Sequence, residues 1–311
     1  MRAIRMHDFG GPEALRMDDI PVPEPGPQEW LVQVRAASVN PIDYKIRSGA
    51  FRAVERGQLP RTLGRDLSGT VVRCGPDASG YKEGDPVFAL IGLERGSYAD
   101  YAIVRSGELA ARPAKAELDV AAAIPLAGLT AWQGLFDYGH LKQGQRVLIH
   151  GGAGGVGHFA VQFAKAKNAE VLATVGTEDI AFAKSLGADR VIDYRRDRFE
   201  DIASDIDLVY DLVGGDTRER SWSVLKTGGT MVSTLGEPDQ AKAAAHKVRA
   251  VGYMARPVGD QLASIAALID DGKVRVEVSR RFPLESAGEA QRVLEHEHLR
   301  GKVLLEVAPP N

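Results

Sequence analysis

Three glycines lie between a short apolar run and an apolar stripe at helical spacing. Their residue type and spacing predict a site that binds phosphate groups. Gly152, Gly154 and Gly157 follow the apolar residues 147–149, and apolar residues recur at helical spacing over 156–164. A strand, a tight glycine turn and a helix form the context of the dinucleotide fingerprint, because glycines let the backbone turn sharply and approach a pyrophosphate. The N–H groups and the positive end of the helix then face the phosphates. The predicted contacts are Gly152, Ala153, Gly154, Gly155, Val156 and Gly157.

Alternating strand and helix patterns after this loop predict a doubly wound α/β unit. The predicted strands are 147–149, 171–175, 190–192, 206–210, 230–234 and 248–253, and the predicted helices after the first are 180–186, 217–225 and 238–247. This alternation favours a parallel sheet with helices on both faces, and six strands match the dinucleotide-binding form. Ligands of such sheets bind beyond the carboxyl ends of the strands, where Gly176, Leu235 and Gly236 also fall.

Charge and cysteine content exclude several function classes. The 39 basic and 42 acidic residues give a net charge of −3, which provides no electrostatic case for a nucleic-acid or membrane partner. The single Cys74 excludes an intrachain disulfide and a cysteine-rich metal site. The sequence begins without an apolar signal segment and contains no run of 18 apolar residues, so we expect a cytoplasmic protein.

The length of 311 residues suggests two domains, and turn-rich strand patterns precede the dinucleotide unit. Strands are predicted at 31–36, 67–72 and 86–89 and from 96–102, after a proline-rich extended entry segment, and helices are predicted within 119–141. The chain ends with a helix at 262–269, a helix that opens on a capping box of Ser286 and Glu289, and a strand at 303–307. We expect residues 1–126 and 256–311 to form a β-rich domain, and 127–255 to form the dinucleotide-binding domain.

Four motifs together resemble a known family over essentially the whole chain. They are N-P-I-D-Y-K at 40–45, P-L-A-G-L-T-A at 125–131, G-G-A-G-G-V-G at 151–157 and R-G-K at 300–302. The chain resembles the medium-chain dehydrogenase/reductase superfamily, in its zinc-free, zeta-crystallin-like branch of quinone oxidoreductases and enone reductases. The resemblance implies a GroES-like catalytic domain beside a Rossmann domain, and a homodimer. It also implies NADPH-dependent reduction of small-molecule quinones or activated carbon–carbon double bonds.

Departures from the related zinc alcohol dehydrogenases indicate the zinc-free branch. This chain resembles those enzymes around both ligand positions. At the position of their cysteine ligand it has Asn40, and at the position of their histidine ligand it has Arg65. Arginine cannot lose its proton to become a ligand. A lone cysteine also cannot form the four-cysteine structural zinc loop of those enzymes. We therefore expect no metal site.

Without a metal, the residues of the first motif must stabilise charge. Hydride addition to an enone leaves an enolate, which needs hydrogen-bond donors and then a proton. Asn40 offers an amide donor to the substrate or the nicotinamide carboxamide, and Lys45 offers an ammonium that the resemblance places against both substrate and cofactor; a solvated surface lysine is the alternative. Tyr44 is a candidate proton relay or a packing residue. We interpret His150 as a structural residue because no nucleophile–base arrangement includes it.

Position and resemblance together predict further cofactor contacts. Thr130 matches the family threonine near the nicotinamide half, and Tyr194 matches a family tyrosine near the adenine ribose phosphate, with an exposed loop tyrosine as the alternative. Gly176 and Thr177 end the second strand of the dinucleotide unit, where the adenosine ribose of such cofactors binds.

The choice between NADPH and NADH remains open in the sequence. Domains specific for NAD place an acid near the ribose 2′-hydroxyl, whereas Gly176 at this position neither pairs a hydroxyl nor repels a phosphate. Glu178 and Asp179 would repel a 2′-phosphate if they point inward, or they could cap the following helix. Arginines that could bind the phosphate are Arg190, Arg195 and Arg196. We predict a modest preference for NADPH, with NADH also accepted.

The sequence thus predicts a zinc-independent NAD(P)H-dependent reductase of quinones or α,β-unsaturated carbonyls. A trans-2-enoyl thioester reductase is one alternative, which would need a long apolar acyl channel. A cofactor-binding protein without turnover, such as a crystallin-like or regulatory subunit, is another, because a glycine loop indicates binding rather than catalysis.

Overall fold

The computed structural model describes residues 1–307, which divide into two compact units. The first unit contains Met1–Leu126, Arg256–Gly272 and the chain from Val276 onward, and the second contains Ala127–Ala255 and Lys273–Arg275. No helix within the described residues is long and apolar enough to cross a membrane.

The first unit consists mainly of two β-sheets. Its strands are β1 (Arg2–Met6), β2 (Leu15–Asp19), β3 (Glu29–Val39), β4 (Arg61–Thr62), β5 (Asp66–Cys74), β6 (Pro86–Leu90), β7 (Tyr101–Arg105), β8 (Leu109–Ala111), β15 (Val278–Pro283) and β16 (Lys302–Glu306). One sheet has the order β2-β1-β4, and the other has the order β15-β16-β3-β5-β6-β8, with β7 also paired to β3. The first half of β3 pairs with β7 and its last residues pair with β16, so the C-terminal strand adjoins the end of β3.

Short helices complete the first unit, and its core lies between them and the sheets. They are α1 (Pro41–Arg47), α2 (Leu118–Ala121), α8 (Gly259–Asp270) and α9 (Ala287–His296), with 3-10 turns at Pro12–Ala14, Arg56–Gln58 and Leu284–Ser286. Val32, Val34 and Ala36 are buried and alternate with the more exposed Gln33 and Arg35 along β3, as the predicted strand pattern requires, whereas Leu31 is buried as well.

Three details of the sequence interpretation are wrong in this unit. Strands β1 and β2 were not predicted, since their alternation is short and β2 is largely exposed. The strand predicted from residue 96 begins only at Tyr101, because the N–H groups of Ser97 and Tyr98 donate to the carbonyl oxygens of Gly64 and Leu63 and not to β3. The capping box at α9 is absent, because Ser286 ends a 3-10 turn without a side-chain cap and Glu289 accepts a hydrogen bond from Arg292 instead.

The second unit is a six-stranded parallel sheet, as the strand–helix alternation predicts. Its strands are β9 (Arg146–His150), β10 (Glu170–Val175), β11 (Arg190–Asp193), β12 (Ile206–Asp211), β13 (Leu225–Ser233) and β14 (Arg249–Gly252). Their order is β11-β10-β9-β12-β13-β14, the 3-2-1-4-5-6 order of dinucleotide-binding sheets. The central strands β9 and β10 are buried almost throughout, because helices cover both faces of such a sheet.

The helices of the second unit follow the predicted positions with one exception. They are α3 (Pro125–Trp132, which starts in the first unit), α4 (Gly157–Ala166), α5 (Ile180–Ser185), α6 (Gly215–Ser221) and α7 (Gln240–Ala245), with a π turn at Gln133–Tyr138 and 3-10 turns at Thr177–Asp179, Phe199–Asp201 and Trp222–Val224. The predicted helix 217–225 ends earlier, and β13 already begins at Leu225. Strand β13 therefore begins five residues before the predicted start at residue 230, and Gly228 inside it has φ +79°.

Candidate active site

Strand β3 ends beside the first catalytic motif, and a buried carboxylate fixes the start of helix α1. Asp43 Oδ2 accepts hydrogen bonds from the backbone N–H of Asn40 (2.8 Å) and from the hydroxyl of Tyr98 (2.9 Å). This arrangement satisfies one N–H at the helix start and fixes the direction in which α1 leaves the sheet. Helix α1 then carries Tyr44, which is half-buried, and Lys45, which is exposed.

A second buried carboxylate, Asp66 at the start of β5, binds the residues around Asn40. Its Oδ2 accepts from the hydroxyl of Ser38 (2.5 Å) and the amide of Asn40 (2.8 Å), while its Oδ1 accepts from the N–H of Leu126 (2.7 Å). Lys302 Nζ lies 3.7 Å from Oδ2. A fully buried carboxylate is tolerated only when its charge is paired and its oxygens are hydrogen-bonded, and these four partners meet that condition.

The side-chain amide of Asn40 is fully engaged in this cluster. Its Nδ2 donates to Asp66 Oδ2 and to the carbonyl oxygen of Ser38 (3.3 Å), and its Oδ1 accepts from Lys302 Nζ. An amide has two N–H donors, and both have partners here. Asn40 can therefore donate to a substrate oxygen or a carboxamide only by giving up one of these bonds. Lys302 is the partner that the sequence interpretation missed; its place in the R-G-K motif was the available signal.

Burial shifts the pKa values of two groups in this cluster. Burial raises the pKa of the Asp43 carboxyl to about 6, against the opposing effect of its two hydrogen-bond donors. Burial lowers the pKa of the Lys302 ammonium, while the nearby carboxylates of Asp66 and Asp43 oppose that shift. Asp43 Oδ1 is buried without a hydrogen-bond partner among the described residues, which fits a carboxyl that protonates readily.

Tyr44 and Lys45 differ in what they offer to a ligand. Burial, followed by the charge of Glu295, raises the pKa of the Tyr44 hydroxyl, so this group holds its proton and is a weak acid. Lys45 makes no ion pair among the residues that the structure describes, and its ammonium faces solvent. Of the two side chains, Lys45 is the one placed to stabilise an external oxyanion.

The two positions that correspond to zinc ligands hold groups unsuited to a metal ion. Asn40 is engaged as described, and Arg65 is buried with its Nε donating to the carbonyl oxygen of Ile91 (3.1 Å). Within residues 1–307, no group of three or more His, Cys, Asp or Glu side chains that could hold a metal ion includes Asp43 or Asp66. The donor set around Asn40 thus binds an ammonium, that of Lys302, through an amide oxygen, a carbonyl oxygen (Val39, 3.2 Å) and a carboxylate.

In the second unit, the glycine loop between β9 and α4 has the shape that the fingerprint requires. The positive φ of the turn lies at Gly151 (+77°), one residue before the first fingerprint glycine. A Cβ at Gly152 would lie 2.9 Å from Ala173 Cβ, and one at Gly157 would lie 2.0 Å from the carbonyl oxygen of Gly151. At Gly154, among residues 1–307, a Cβ would have only that same oxygen within 4 Å, at 3.6 Å, so this position is open. Gly157 is therefore needed for packing, and Gly154 leaves space for a ligand.

Exposed apolar side chains follow the carboxyl ends of four strands in the second unit. Tyr194 follows β11, Val213 follows β12, Leu235 follows β13 and Met254 follows β14, and each is at least 39% exposed. Exposed large apolar side chains grouped at one edge indicate a binding surface, here suited to flat rings. Val213 and Met254 were not predicted, because single apolar residues in loops carry no sequence signal. Gly176 and Gly236 lie at the same edge.

Contacts in the segment after β10 show where the side chain of Glu178 lies. A Cβ at Gly176 would lie 2.9 Å from Glu178 Oε2, so this carboxylate lies beside Gly176, and it pairs with Arg195 at 2.7 Å. Thr177 donates to Asp193 Oδ2 at 2.6 Å. Asp179 is buried and makes no side-chain cap on α5. Of the three candidate arginines, Arg195 is the one paired beside Gly176; Arg190 donates to the carbonyl oxygen of Ile202, and Arg196 lies 3.6 Å from Asp193.

The two remaining candidates, Thr130 and His150, are both buried in the second unit. The carbonyl oxygen of Thr130 accepts hydrogen bonds from the hydroxyls of Tyr210 and Tyr253. His150 is hydrogen-bonded to Thr174 Oγ1 (3.1 Å) and Ser221 Oγ (2.9 Å), and burial lowers its pKa to about 4. A neutral imidazole with a hydrogen bond at each ring nitrogen serves a structural purpose.

Comparison with known proteins assigns the family. A model described as "Alcohol dehydrogenase GroES-like domain" matches residues 26–114, and one described as "Zinc-binding dehydrogenase" matches residues 186–305. The NADPH-dependent alkenal/one oxidoreductase of Arabidopsis thaliana is 34% identical, over 99% of this chain and 80% of that protein. The chain belongs to the medium-chain dehydrogenase/reductase superfamily.

Solved structures of medium-chain reductases match this one over almost the whole chain. The quinone oxidoreductase from Coxiella burnetii is 38% identical, with a TM-score of 0.91 and coverage of 99% of both chains. The quinone oxidoreductase of Escherichia coli, solved with NADPH, is 30% identical, with a TM-score of 0.89 and coverage of 99% of this chain and 100% of that chain. These relatives confirm the predicted likeness to quinone oxidoreductases and enone reductases and the fold class predicted from the sequence.

Gly154→Val should abolish NADPH binding and leave the fold largely intact, because a side chain at this open position would occupy the space of the pyrophosphate. Gly157→Val, in contrast, should lower the free energy of unfolding, because its Cβ would overlap the carbonyl oxygen of Gly151. Cofactor titration by fluorescence and urea unfolding of both variants measure these effects. Unchanged affinity in a folded Gly154→Val protein would show that the cofactor does not bind at this loop.

Asp43→Asn should change the pH dependence of stability. The pKa of Asp43 is raised to about 6 in the folded protein, so the folded state holds a proton that the unfolded state loses, and the stability contributed by this group falls as pH rises from about 4 to about 6. An asparagine keeps an acceptor for Asn40 and Tyr98 without the charge. The free energy of unfolding of the wild type relative to Asp43→Asn should decrease by roughly 3 kcal/mol across this window, measured by urea unfolding. Parallel pH curves for the two proteins would contradict the assigned pKa shift.

Proposed function

We propose that this protein is a zinc-independent, NADPH-dependent reductase of small-molecule quinones or α,β-unsaturated carbonyls. The observation that carries the proposal is the combination of an open fingerprint loop at Gly154 with Asn40 and Arg65 at the positions of the zinc ligands. Relatives named quinone oxidoreductase and NADPH-dependent alkenal/one oxidoreductase support the same acceptors. The homodimer and the cytoplasmic location remain predictions from the sequence.

The proposed cofactor contacts are the glycine loop and the edge at the carboxyl ends of the strands. The loop offers N–H groups and the start of α4 to a pyrophosphate, and Gly154 leaves the required space. The exposed side chains of Tyr194 and Leu235 provide apolar surface for the rings. When bound, reduced NADPH supplies the hydride that an electron-poor acceptor receives.

The proposed roles in the first unit follow from charge and exposure. Lys45 stabilises the oxyanion that develops on the acceptor, because its ammonium is exposed and has no ion-pair partner among the described residues. Asn40, with both amide donors engaged, contributes mainly by orienting the start of α1. Tyr44 is retained as a candidate proton relay, although its raised pKa makes it a weak acid at neutral pH.

An acceptor panel tests the function and separates it from its alternatives. Purified protein, with and without a chelator, is given NADPH and a set of quinones, short enones and trans-2-enoyl thioesters. We expect turnover of quinones or enones that the chelator leaves unchanged. Turnover restricted to enoyl thioesters would favour the thioester reductase, NADPH binding without turnover would favour a non-catalytic protein, and loss of activity with removal of about one zinc per chain would contradict the metal-free mechanism.

Lys45→Ala should lower kcat/KM for the acceptor at least tenfold, which corresponds to about 1.4 kcal/mol of transition-state stabilisation. The reason is that Lys45 is the only charged side chain of α1 that is exposed to solvent. Lys82→Ala, which removes an exposed lysine from a turn of the same unit, is the control. Equal kinetics in the two variants would make Lys45 an ordinary surface lysine.

Cofactor choice should depend on the Glu178–Arg195 pair. Glu178 lies beside Gly176, where a 2′-phosphate would approach, and Arg195 partly neutralises it, so we expect a modest preference for NADPH with NADH accepted. Glu178→Gln should raise the ratio of kcat/KM for NADPH to that for NADH about tenfold, and Arg195→Gln should lower it. Arg196→Gln, an exposed arginine on the neighbouring position, is the control. A ratio that none of these variants changes would place the ribose elsewhere.

A further inference from the structure

Helix α3 passes into a π turn, Gln133–Tyr138, in the second unit. In an α-helix the N–H of Gly134 would donate to the carbonyl oxygen of Thr130, four residues earlier. Here the hydroxyl of Tyr253 donates to the carbonyl oxygen of Thr130 and lies against the backbone of Gly134. A side chain inserted between the two partners of a helical hydrogen bond is an established cause of a helix irregularity.

A second tyrosine completes this insertion. Tyr210 is fully buried, and its hydroxyl lies 2.9 Å from the carbonyl oxygen of Thr130 and 2.6 Å from the hydroxyl of Tyr253. Tyr210 is the penultimate residue of β12, and Tyr253 directly follows β14. Both tyrosines therefore reach the helix from the carboxyl edge of the sheet, which is where ligands of this fold bind.

A glycine makes room for the inserted hydroxyl. A Cβ at Gly134 would lie 2.5 Å from the hydroxyl oxygen of Tyr253 and 2.6 Å from the ring of Tyr210. The ring of Tyr138 packs against that of Tyr253 with centroids 4.6 Å apart and holds it in place. The π turn thus depends on a particular set of side chains from three separate segments of the unit.

Inserting two buried hydroxyls into the helix costs free energy, and this cost has no benefit if the hydroxyls only hold the helix together. A direct bond between Gly134 and Thr130 would satisfy both groups, whereas burying two hydroxyls requires each of them to be hydrogen-bonded. π turns of this kind occur frequently at functional sites. The turn begins three residues after Thr130, whose carbonyl oxygen accepts from the inserted hydroxyl; the family resemblance places this residue near the nicotinamide.

We propose that Tyr253 is a positioning residue for hydride transfer, because its hydroxyl sets the turn that holds Thr130 at the nicotinamide end of the cofactor site. This proposal rests on the proposed function. Tyr253 does not contact the acceptor; it acts through Thr130. The adenosine end of the cofactor, held by the glycine loop, is independent of it.

Tyr253→Phe tests the proposal, because it removes one hydroxyl and keeps the ring. We expect the single-turnover rate of hydride transfer from NADPH to fall at least tenfold, and the isotope effect with NADPH deuterated at the transferred position to increase. Binding of 2′-phospho-ADP-ribose, which lacks the nicotinamide, should stay within twofold of wild type. Tyr138→Phe is the matched control, since its hydroxyl makes no hydrogen bond among the described residues.

Other results would overturn the proposal. A wild-type rate of hydride transfer in Tyr253→Phe would show that the inserted hydroxyl does not position the reaction. A parallel loss of 2′-phospho-ADP-ribose binding would show that Tyr253 only maintains the fold. The wild-type protein is assayed first, and its failure to reduce any acceptor would reject the proposed function itself, which distinguishes that failure from the other two.

Discussion

The buried carboxylate of Asp66 is the constraint on which the first unit depends. It is fully buried, and a charge in that position is strongly destabilising unless it is neutralised and hydrogen-bonded. Its partners come from the end of β3, from the residue that opens α1, from the boundary segment at Leu126 and from the first residue of β16. Satisfying one carboxylate therefore fixes four distant segments, and among them the direction of the helix that exposes Lys45.

The same cluster places a buried ammonium where the resemblance to zinc alcohol dehydrogenases would place a metal ligand set. The Lys302 ammonium supplies a fixed positive charge to the oxygens of Asn40, Val39 and Asp66. An acceptor already activated by conjugation needs less polarisation than an alcohol, and the exposed ammonium of Lys45 is the charge that we propose for this purpose. In the second unit the requirement is different: the parallel direction of six strands brings glycines and exposed apolar side chains to one edge.

Local pattern was sufficient to predict the six parallel strands and the glycine loop, because each depends on residues close together in the chain. It failed where a contact joins distant residues. Lys302 meets Asn40 across 262 positions, and Tyr253 reaches Thr130 across 123, and no periodicity records either pair. The capping box at Ser286 failed for another reason: Glu289 had a competing partner, Arg292, one turn along the helix.

We expect the protein to transfer hydride directly from NADPH to a conjugated acceptor, without a metal. The most direct test of this transfer uses NADPH deuterated at C4 and a short enone, with a chelator present, followed by mass and NMR analysis of the saturated product. We expect one deuterium on the β-carbon and a solvent-derived proton on the α-carbon. A product with no cofactor-derived deuterium at the β-carbon, or no product in the presence of the chelator, would contradict the account.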